Sequence, residues 1–300
     1  MKIVSGLLSV FLALCYFVKL IVKTGFRCYV PRNVAGGRKL LVLVNGPSLN
    51  DSWDEIIATK RNETDDIITV NFAANDERFY ITKPKYYLIT DPMFYYPNEH
   101  PREEKERVVL FFENLNTRVD WDMILFLSTQ LFRAEKKAKK VSNPHIRIIP
   151  FHGLLTFIRP ITWRMKTGRR IIMYFAKKGL FSPDRDTVMH FAIYLGFLMG
   201  YKVEELYGAD HNFLEGLMVN DKNQVCKRTV HFYETDAALK PVGAASVNGV
   251  GVVCSTVGVL LSLYEQVFKG HELLRMIADE MGVRVINMTK GSMIDVYERP

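Results

Sequence analysis

Short apolar runs that break off at a polar residue recur along this chain, separated by stretches of helical periodicity, and few folds accommodate that rhythm. Residues 39–44 stop at Asn45-Gly46-Pro47, 67–70 at Asn71, 86–90 at Asp91-Pro92, 203–207 at Gly208-Ala209-Asp210 and 283–286 at Asn287. Apart from 203–207, which holds Glu204 and Glu205, these are short, largely apolar runs with the length and composition of buried strands. Residues 123–127 and 146–149 are further strand candidates, the second following a polar, basic loop over 133–140. Between strands the period changes. Val188, Phe191, Ala192, Leu195, Leu198 and Met199 fall at helical spacing with Gly200 in the place of a C-terminal cap, and 271–281 is an amphipathic helix closed by Gly282. Strands alternating with helices predict βαβ units and an α/β fold whose mostly parallel sheet is flanked by helices. In open sheets of this kind ligands bind beyond the carboxyl ends of the strands, where Asn45, Asn71, Asp91, Asp210 and Asn287 fall. Asn and Asp also end strands because they favour turns and caps, so the cluster carries the expectation rather than any one member.

A chain of 300 residues with 48% hydrophobic content suffices for one sizeable domain of this class. Its net charge of +8 and sequence pI near 9.2 favour an anionic partner: nucleic acid, acidic lipid, or a phosphorylated or carboxylated substrate. The four cysteines, Cys15, Cys28, Cys226 and Cys254, form no CxxC pair and have no metal-ligand spacing, which argues against a structural zinc. Residues 3–22 carry Lys19 as their only charge and are long enough to cross about 30 Å of hydrocarbon. Lys23, Arg27, Arg32, Arg38 and Lys39 follow that segment and outnumber Lys2 before it, so the positive-inside rule predicts that the bulk of the chain faces the cytoplasm at the inner membrane. The expected organisation is a membrane anchor over 1–24, a basic linker over 25–38, and one domain over 39–300 with an insertion around 151–180. That insertion interleaves Phe157, Trp163, Tyr174 and Phe175 with Arg159, Arg164, Lys166, Arg169, Arg170, Lys177 and Lys178. Beside an anchor, this composition suits a lid or membrane-docking element better than a nucleic-acid surface, with an ordinary amphipathic surface as the alternative.

The Asn45-Gly46-Pro47-Ser48 turn has neither the glycine spacing of a dinucleotide fingerprint nor the Gly-Lys-Ser/Thr of a P-loop. It offers backbone N–H groups and the Ser48 hydroxyl at a helix start, which can hold a phosphate, and the Asn45 amide, which can hydrogen-bond a sugar or base.

Asn45-Gly46-Pro47-Ser48-Leu49 after a first strand resembles the opening motif of the bacterial sialyltransferases of glycosyltransferase family 42, which use CMP-sialic acid. A second segment is similar in order and spacing: Arg185-Asp186-Thr187, a helix ending at Gly200-Tyr201-Lys202, a strand, then Gly208-Ala209-Asp210. The resemblance implies a single Rossmann-like nucleotide-binding domain, a GT-A-like variant, with a CMP-sugar as donor substrate and no required cofactor or metal. By the same resemblance Asn45, Gly46 and Ser48 surround the nucleotide phosphate, Asn71 follows the second strand, Arg185, Thr187 and Asp210 contribute to the donor site, and the segment from Asn287 to Ser292 touches the nucleotide. The chain departs from the family pattern at Val188, where a serine is expected, and at His211, Asn212 and Phe213, where tyrosines receive the departing phosphate.

Inverting sugar transfer without a metal needs a base for the acceptor hydroxyl and a cationic or hydrogen-bonding group for the leaving phosphate. His231 resembles the family's catalytic histidine in following the Gly-x-Asp strand and preceding the last helix, from which an insertion over about 235–267 separates it. His211 is the second candidate, and His211 or Asn212 can take the role of the missing tyrosines. His190 reads as packing, and His145, His152 and His271 carry no stronger signal. The expected activity is transfer of an acidic sugar, sialic acid or one like Kdo, to a surface-glycan or lipid-linked acceptor. The rival is a Mg²⁺-dependent pyrophosphokinase of related fold, of the hydroxymethylpterin type, or a flagellin-modification accessory enzyme, with Asp91 and Asp210 as metal ligands. Oligomeric state is not legible in the residues.

Overall fold

The computed structural model describes Cys15, Val18, Val22 and residues 24–96, 102–152, 173–180, 187–228, 239–244, 253–254 and 256–300. Seven parallel strands form the main sheet: β1 (Leu40–Leu43), β2 (Asp66–Val70), β3 (Tyr86–Ile89), β4 (Met123–Ser128), β5 (Ile146–Phe151), β6 (Val203–Tyr207) and the last strand, Arg284–Asn287. Short antiparallel strands lie between: β7 (Met218–Val219), β8 (Val225–Arg228) and β9 (Leu239–Pro241) form one ribbon, β10 (Gly243–Ala244) and β11 (Val253–Cys254) another, so the last main strand is β12. The main sheet runs in the order β12-β6-β1-β2-β3-β4-β5. The chain therefore steps outward from β1 to β5, then returns to the other side of β1 and steps outward again. The reversal falls between β1 and β6, and in open α/β sheets that point opens a crevice at the carboxyl ends.

Side chains alternate across the sheet with period 2, and each face finds its own helices. Leu40, Val42 and Val44 of the first strand and its extension pack with Ile68, Leu88 and Leu206 against α6 (Val188–Met199) and α7 (Val257–Met281). Leu41 and Leu43 face the other layer, built from α1 (Leu49–Ala58), α3 (Glu77–Thr82), α4 (Arg102–Arg118) and α5 (Thr129–Ala138), where Trp53, Phe79, Phe111 and Leu131 are buried; the one-turn α2 (Arg61–Thr64) precedes β2. Each large aliphatic or aromatic side chain so buried contributes about 1.5–3 kcal/mol. α6 is apolar on all sides, and every residue from Met189 to Met199 is buried, which makes it the central helix of its layer.

Two elements differ from the sequence reading. Residues 133–140 are mostly helical: α5 starts from Ser128, whose side chain accepts the Leu131 N–H (3.3 Å), and its Ala, Glu, Lys and Arg content is strongly helix-forming. The final helix begins at Val257 and not near 271, because Thr256 caps it through the Val259 N–H (3.3 Å) and Leu260, Tyr264, Val267 and Phe268 extend the period backward. Residues of the 25–38 stretch pack on the α6 layer, with Val30 and Ala35 buried and the Val34 N–H on the Met199 carbonyl (3.0 Å). The expected anchor segment lies almost wholly outside the described residues; among those described, no helix is long and apolar enough to cross a membrane. Of the 151–180 insertion, 153–172 also lies outside them, and helix 173–178 packs Met173, Phe175 and Ala176 into the core.

Candidate functional site

The two turns singled out in sequence meet at the β1–β6 crevice. Beyond the strands, the Val44 N–H donates to the Tyr207 carbonyl (3.0 Å) and the Gly46 N–H to the Gly208 carbonyl (2.9 Å), so the turns run side by side. No side chain fits between them. A Cβ on Gly46 would stand 1.8 Å from Asp210 Oδ2 and 2.2 Å from the Gly208 carbonyl, and Gly208 itself has φ +70 with its Cβ position 2.4 Å from the Val44 carbonyl. Both glycines are required for this approach. Ser48 is the N-cap of α1 yet makes no side-chain cap bond; its hydroxyl donates to Asp210 Oδ2 at 2.8 Å. A carboxylate thus sits at the positive end of α1, the position an anionic ligand would otherwise take. Burial pushes the Asp210 carboxyl above its usual range, against the opposing hydrogen bonds from the Ser48 side chain and backbone.

Asn45 and Asn71 stand at the tips of neighbouring strands, two residues beyond the register pair Leu43↔Thr69. The Oδ1 atom of each is enclosed and has no hydrogen-bond partner among the described residues. A buried acceptor left open costs about 1–3 kcal/mol, and native chains keep few of them. Asn71 also adopts φ 51, held there by its N–H on the Leu88 carbonyl (3.2 Å) and by the Tyr87 hydroxyl, which donates to its carbonyl (2.5 Å). Two open acceptors side by side match a ligand that presents donors, such as sugar hydroxyls or an exocyclic amine. Asp91, by contrast, is exposed and caps its own turn by accepting the Met93 N–H (2.8 Å).

The other polar strand ends hold the chain itself. Asn287 is buried, donates to Ser292 Oγ (2.9 Å) and accepts the Thr289 N–H (3.1 Å). Ser292 in turn donates to the Ala209 carbonyl (2.5 Å), Thr289 Oγ1 accepts the Ala209 N–H (2.9 Å), and Arg299 donates to the carbonyls of Thr289, Ser292 and Ile294. With its amide nitrogen turned inward, Asn212 donates to the carbonyls of Asp210 (2.8 Å) and Gly291 (3.1 Å). These groups fix the end of β6 from behind.

His211 and Phe213 lean on one stripe of α7. The His211 ring is 5.0 Å from that of His271, and Phe213 stacks on Tyr264 at 4.8 Å with Phe268 at its edge. His190 is buried and packs against His271 at 4.3 Å. Thr187 is the N-cap of α6, its side chain accepting the Met189 N–H (3.3 Å). Arg185 and His231 lie outside the described residues. The structure therefore brings Asn45, Gly46, Ser48, Asn71, Asp210 and His211 to one edge. Sequence reading missed the α7 stripe, although its Tyr264, Phe268 and His271 spacing is helical and was there to be found. Among the described residues, no group of three or more His, Cys, Asp or Glu is arranged to hold a metal ion.

No family model matches the chain, and no curated protein matches it. Among solved structures, the chain is similar to the MAf glycosyltransferase from Magnetospirillum magneticum AMB-1, with 14% identity and a TM-score of 0.45; the match covers 91% of this chain and 35% of that one.

Proposed function

We propose that this chain is an inverting glycosyltransferase that moves an acidic sugar, sialic acid or one like Kdo, from a CMP-activated donor to a surface-glycan or lipid-linked acceptor at the cytoplasmic face of a membrane. One observation carries the reading. Asn45-Gly46-Pro47-Ser48 and Gly208-Ala209-Asp210 resemble two motifs of one CMP-sugar family, and they are joined here across 162 positions by the Ser48–Asp210 hydrogen bond at the crevice of the sheet. The open acceptors of Asn45 and Asn71 suit the donors of a ribose or a cytosine amine.

In this reading the Ser48–Asp210 pair shapes the pocket, because the helix start is already met by an internal carboxylate. The leaving phosphate then draws its donors from elsewhere, with Arg185 and the loop after Asp210 as candidates. His211 or His231 takes the acceptor proton. A metal-assisted pyrophosphoryl transfer through Asp91 and Asp210 is disfavoured by the sheet order: β3 and β6 are separated by β1 and β2, which sets the two strand ends about 14 Å apart.

The test is incubation of the full chain with CMP-sialic acid or CMP-Kdo and glycan acceptors, with CMP release and product linkage followed. Transfer with inversion at the anomeric carbon is expected. Neither transfer nor donor hydrolysis, together with no CMP binding, would sink the reading.

A further inference from the structure

The carboxyl edge is backed by a buried run of titratable side chains that sugar transfer, as drawn above, leaves unused. His271 is fully buried between the rings of His211 and His190. Its Nδ1 is 3.0 Å from the Tyr297 hydroxyl, and its Nε2 has no hydrogen-bond partner among the described residues. Tyr297 is buried within electrostatic range of Glu204, whose carboxyl is enclosed beside Leu40 and Gly196, level with the start of β1. Two helix positions are kept clear for this run. A Cβ on Gly270 would stand 2.3 Å from His190 Cε1, and one on Gly196 would stand 2.2 Å from Glu204 Oε1.

Glycine inside a helix costs about 1 kcal/mol relative to alanine, and an unsatisfied buried polar group about 1–3 kcal/mol. Apolar side chains of similar volume would avoid the second cost, so packing alone does not account for the run. Burial, with His190 and His211 adding to it, holds the His271 imidazole well below the usual histidine range, and burial holds Glu204 and Tyr297 well above theirs. His271 and Tyr297 are therefore uncharged at neutral pH. A neutral His271 can keep one fixed tautomer, chosen by the Tyr297 hydroxyl, and present its other face to His211.

We propose that His271 is a positioning residue, fixed by Tyr297 with Glu204 behind it, that orients the His211 imidazole at the carboxyl edge, and that His211 is the catalytic residue that accepts the proton of the acceptor hydroxyl. This rests on the glycosyl-transfer reading. In the step, the acceptor oxygen forms its bond to the anomeric carbon while the bond from that carbon to the donor phosphate oxygen breaks. The electron pair leaves on CMP, and the hydroxyl proton passes to a ring nitrogen of His211, which later returns it to water.

The test uses the full chain carrying His211→Ala, His271→Phe or His271→Asn, with kcat and donor KM for transfer, the Kd for CMP, and ring resonances of labelled histidines. His211→Ala lowers kcat by about 10²–10⁴-fold while CMP still binds. His271→Phe lowers kcat by about 10–100-fold, with KM and the CMP Kd changed by no more than about twofold. His271→Asn, whose amide takes the place of Nδ1 toward Tyr297, recovers most of that loss. Retention of kcat in His211→Ala, or equal loss in the Phe and Asn variants, overturns the proposal. If the unaltered chain neither binds CMP nor turns over a CMP-sugar, the transfer reading fails and His211 loses its catalytic role with it. The positioning role is then decided by the spectra: His211 ring resonances move in His271→Phe and stay in His271→Asn if it holds, and are alike in both if it does not.

Discussion

The two ends of the main sheet solve opposite problems with the same residue types. At the amino end, Asp66 and Glu205 are closed by cationic and hydroxyl partners, while Glu204 on the same level is enclosed without a hydrogen bond. Asp66 is paired with Arg38 (2.9 Å) and Lys85 (2.8 Å) and accepts the Tyr201 hydroxyl, while Glu205 is paired with Lys39 (2.9 Å) and Arg61 (2.7 Å) and accepts the Tyr207 hydroxyl (2.8 Å). At the carboxyl end, Asn45 and Asn71 hold open acceptors, Asn71 is in the left-handed region, and Asp210 is half-buried, which works against its charge. A closed network is what stability alone selects, and unsatisfied groups mark where a ligand completes the structure.

The sharpest way to break this contrast is to fill the carboxyl edge. Gly46→Val pushes a side chain into Asp210 and the Gly208 carbonyl, so CMP binding disappears in calorimetric titration and stability falls by about 1–3 kcal/mol. The converse substitution at the amino end, Asp66→Ala, leaves Arg38 and Lys85 without their carboxylate. Those partners are 38% and 43% exposed, so the expected loss is about 2 kcal/mol, below that of a fully buried pair, with CMP affinity unchanged in the same titration.

Acid separates the two ends by sign. Burial works against the Glu205 charge, but hydrogen bonds from Arg61, Lys39 and Tyr207 prevail and hold the folded carboxyl below its ordinary value of 4.5. Glu205 therefore contributes stability that is fully present above that value and lost as pH falls through the folded pKa. Asp210 is raised in the folded state, so its ionisation costs stability at neutral pH and that cost is removed on acidification. Melting temperatures measured from pH 7 down to acid check both: Glu205→Gln lowers Tm at neutral pH and makes the acid loss shallower, whereas Asp210→Asn raises Tm slightly at neutral pH and makes the acid loss steeper. The smallest effect belongs to Asn71→Gly, which keeps the left-handed backbone and removes only the acceptor. CMP binding weakens about 10-fold and stability changes by less than about 1 kcal/mol.

The same contrast explains what could be read from residues alone. Six of the seven main strands carry short, largely apolar runs in the sequence, because buried parallel strands leave a local signature; β6, Val-Glu-Glu-Leu-Tyr, is marked instead by its place between a capped helix and a glycine turn. Gly46 and Gly208 were legible too, since close backbone approach demands a residue type. The fates of the polar strand ends were not. Asn287 and Asn45 look alike in sequence, yet Asn287 turns into Ser292 and Thr289 while Asn45 faces the edge, and only the tertiary path decides which. Ser48 reads as a helix cap or phosphate ligand, and its partner is a carboxylate from the far side of the chain. The charge network at the amino end and the histidines behind the site join residues from distant segments, and neither leaves a spacing to count.

The central claim is that the β1–β6 carboxyl edge is a nucleotide site completed by Asn45 and Asn71. Calorimetric titration of CMP into the full chain, and into the Asn45→Ala variant, tests it most directly. One CMP bound per unaltered chain, with affinity lowered at least about 10-fold in Asn45→Ala at unchanged Tm, is the predicted result. Absence of CMP binding to the unaltered chain, or equal affinity in both proteins, would contradict it.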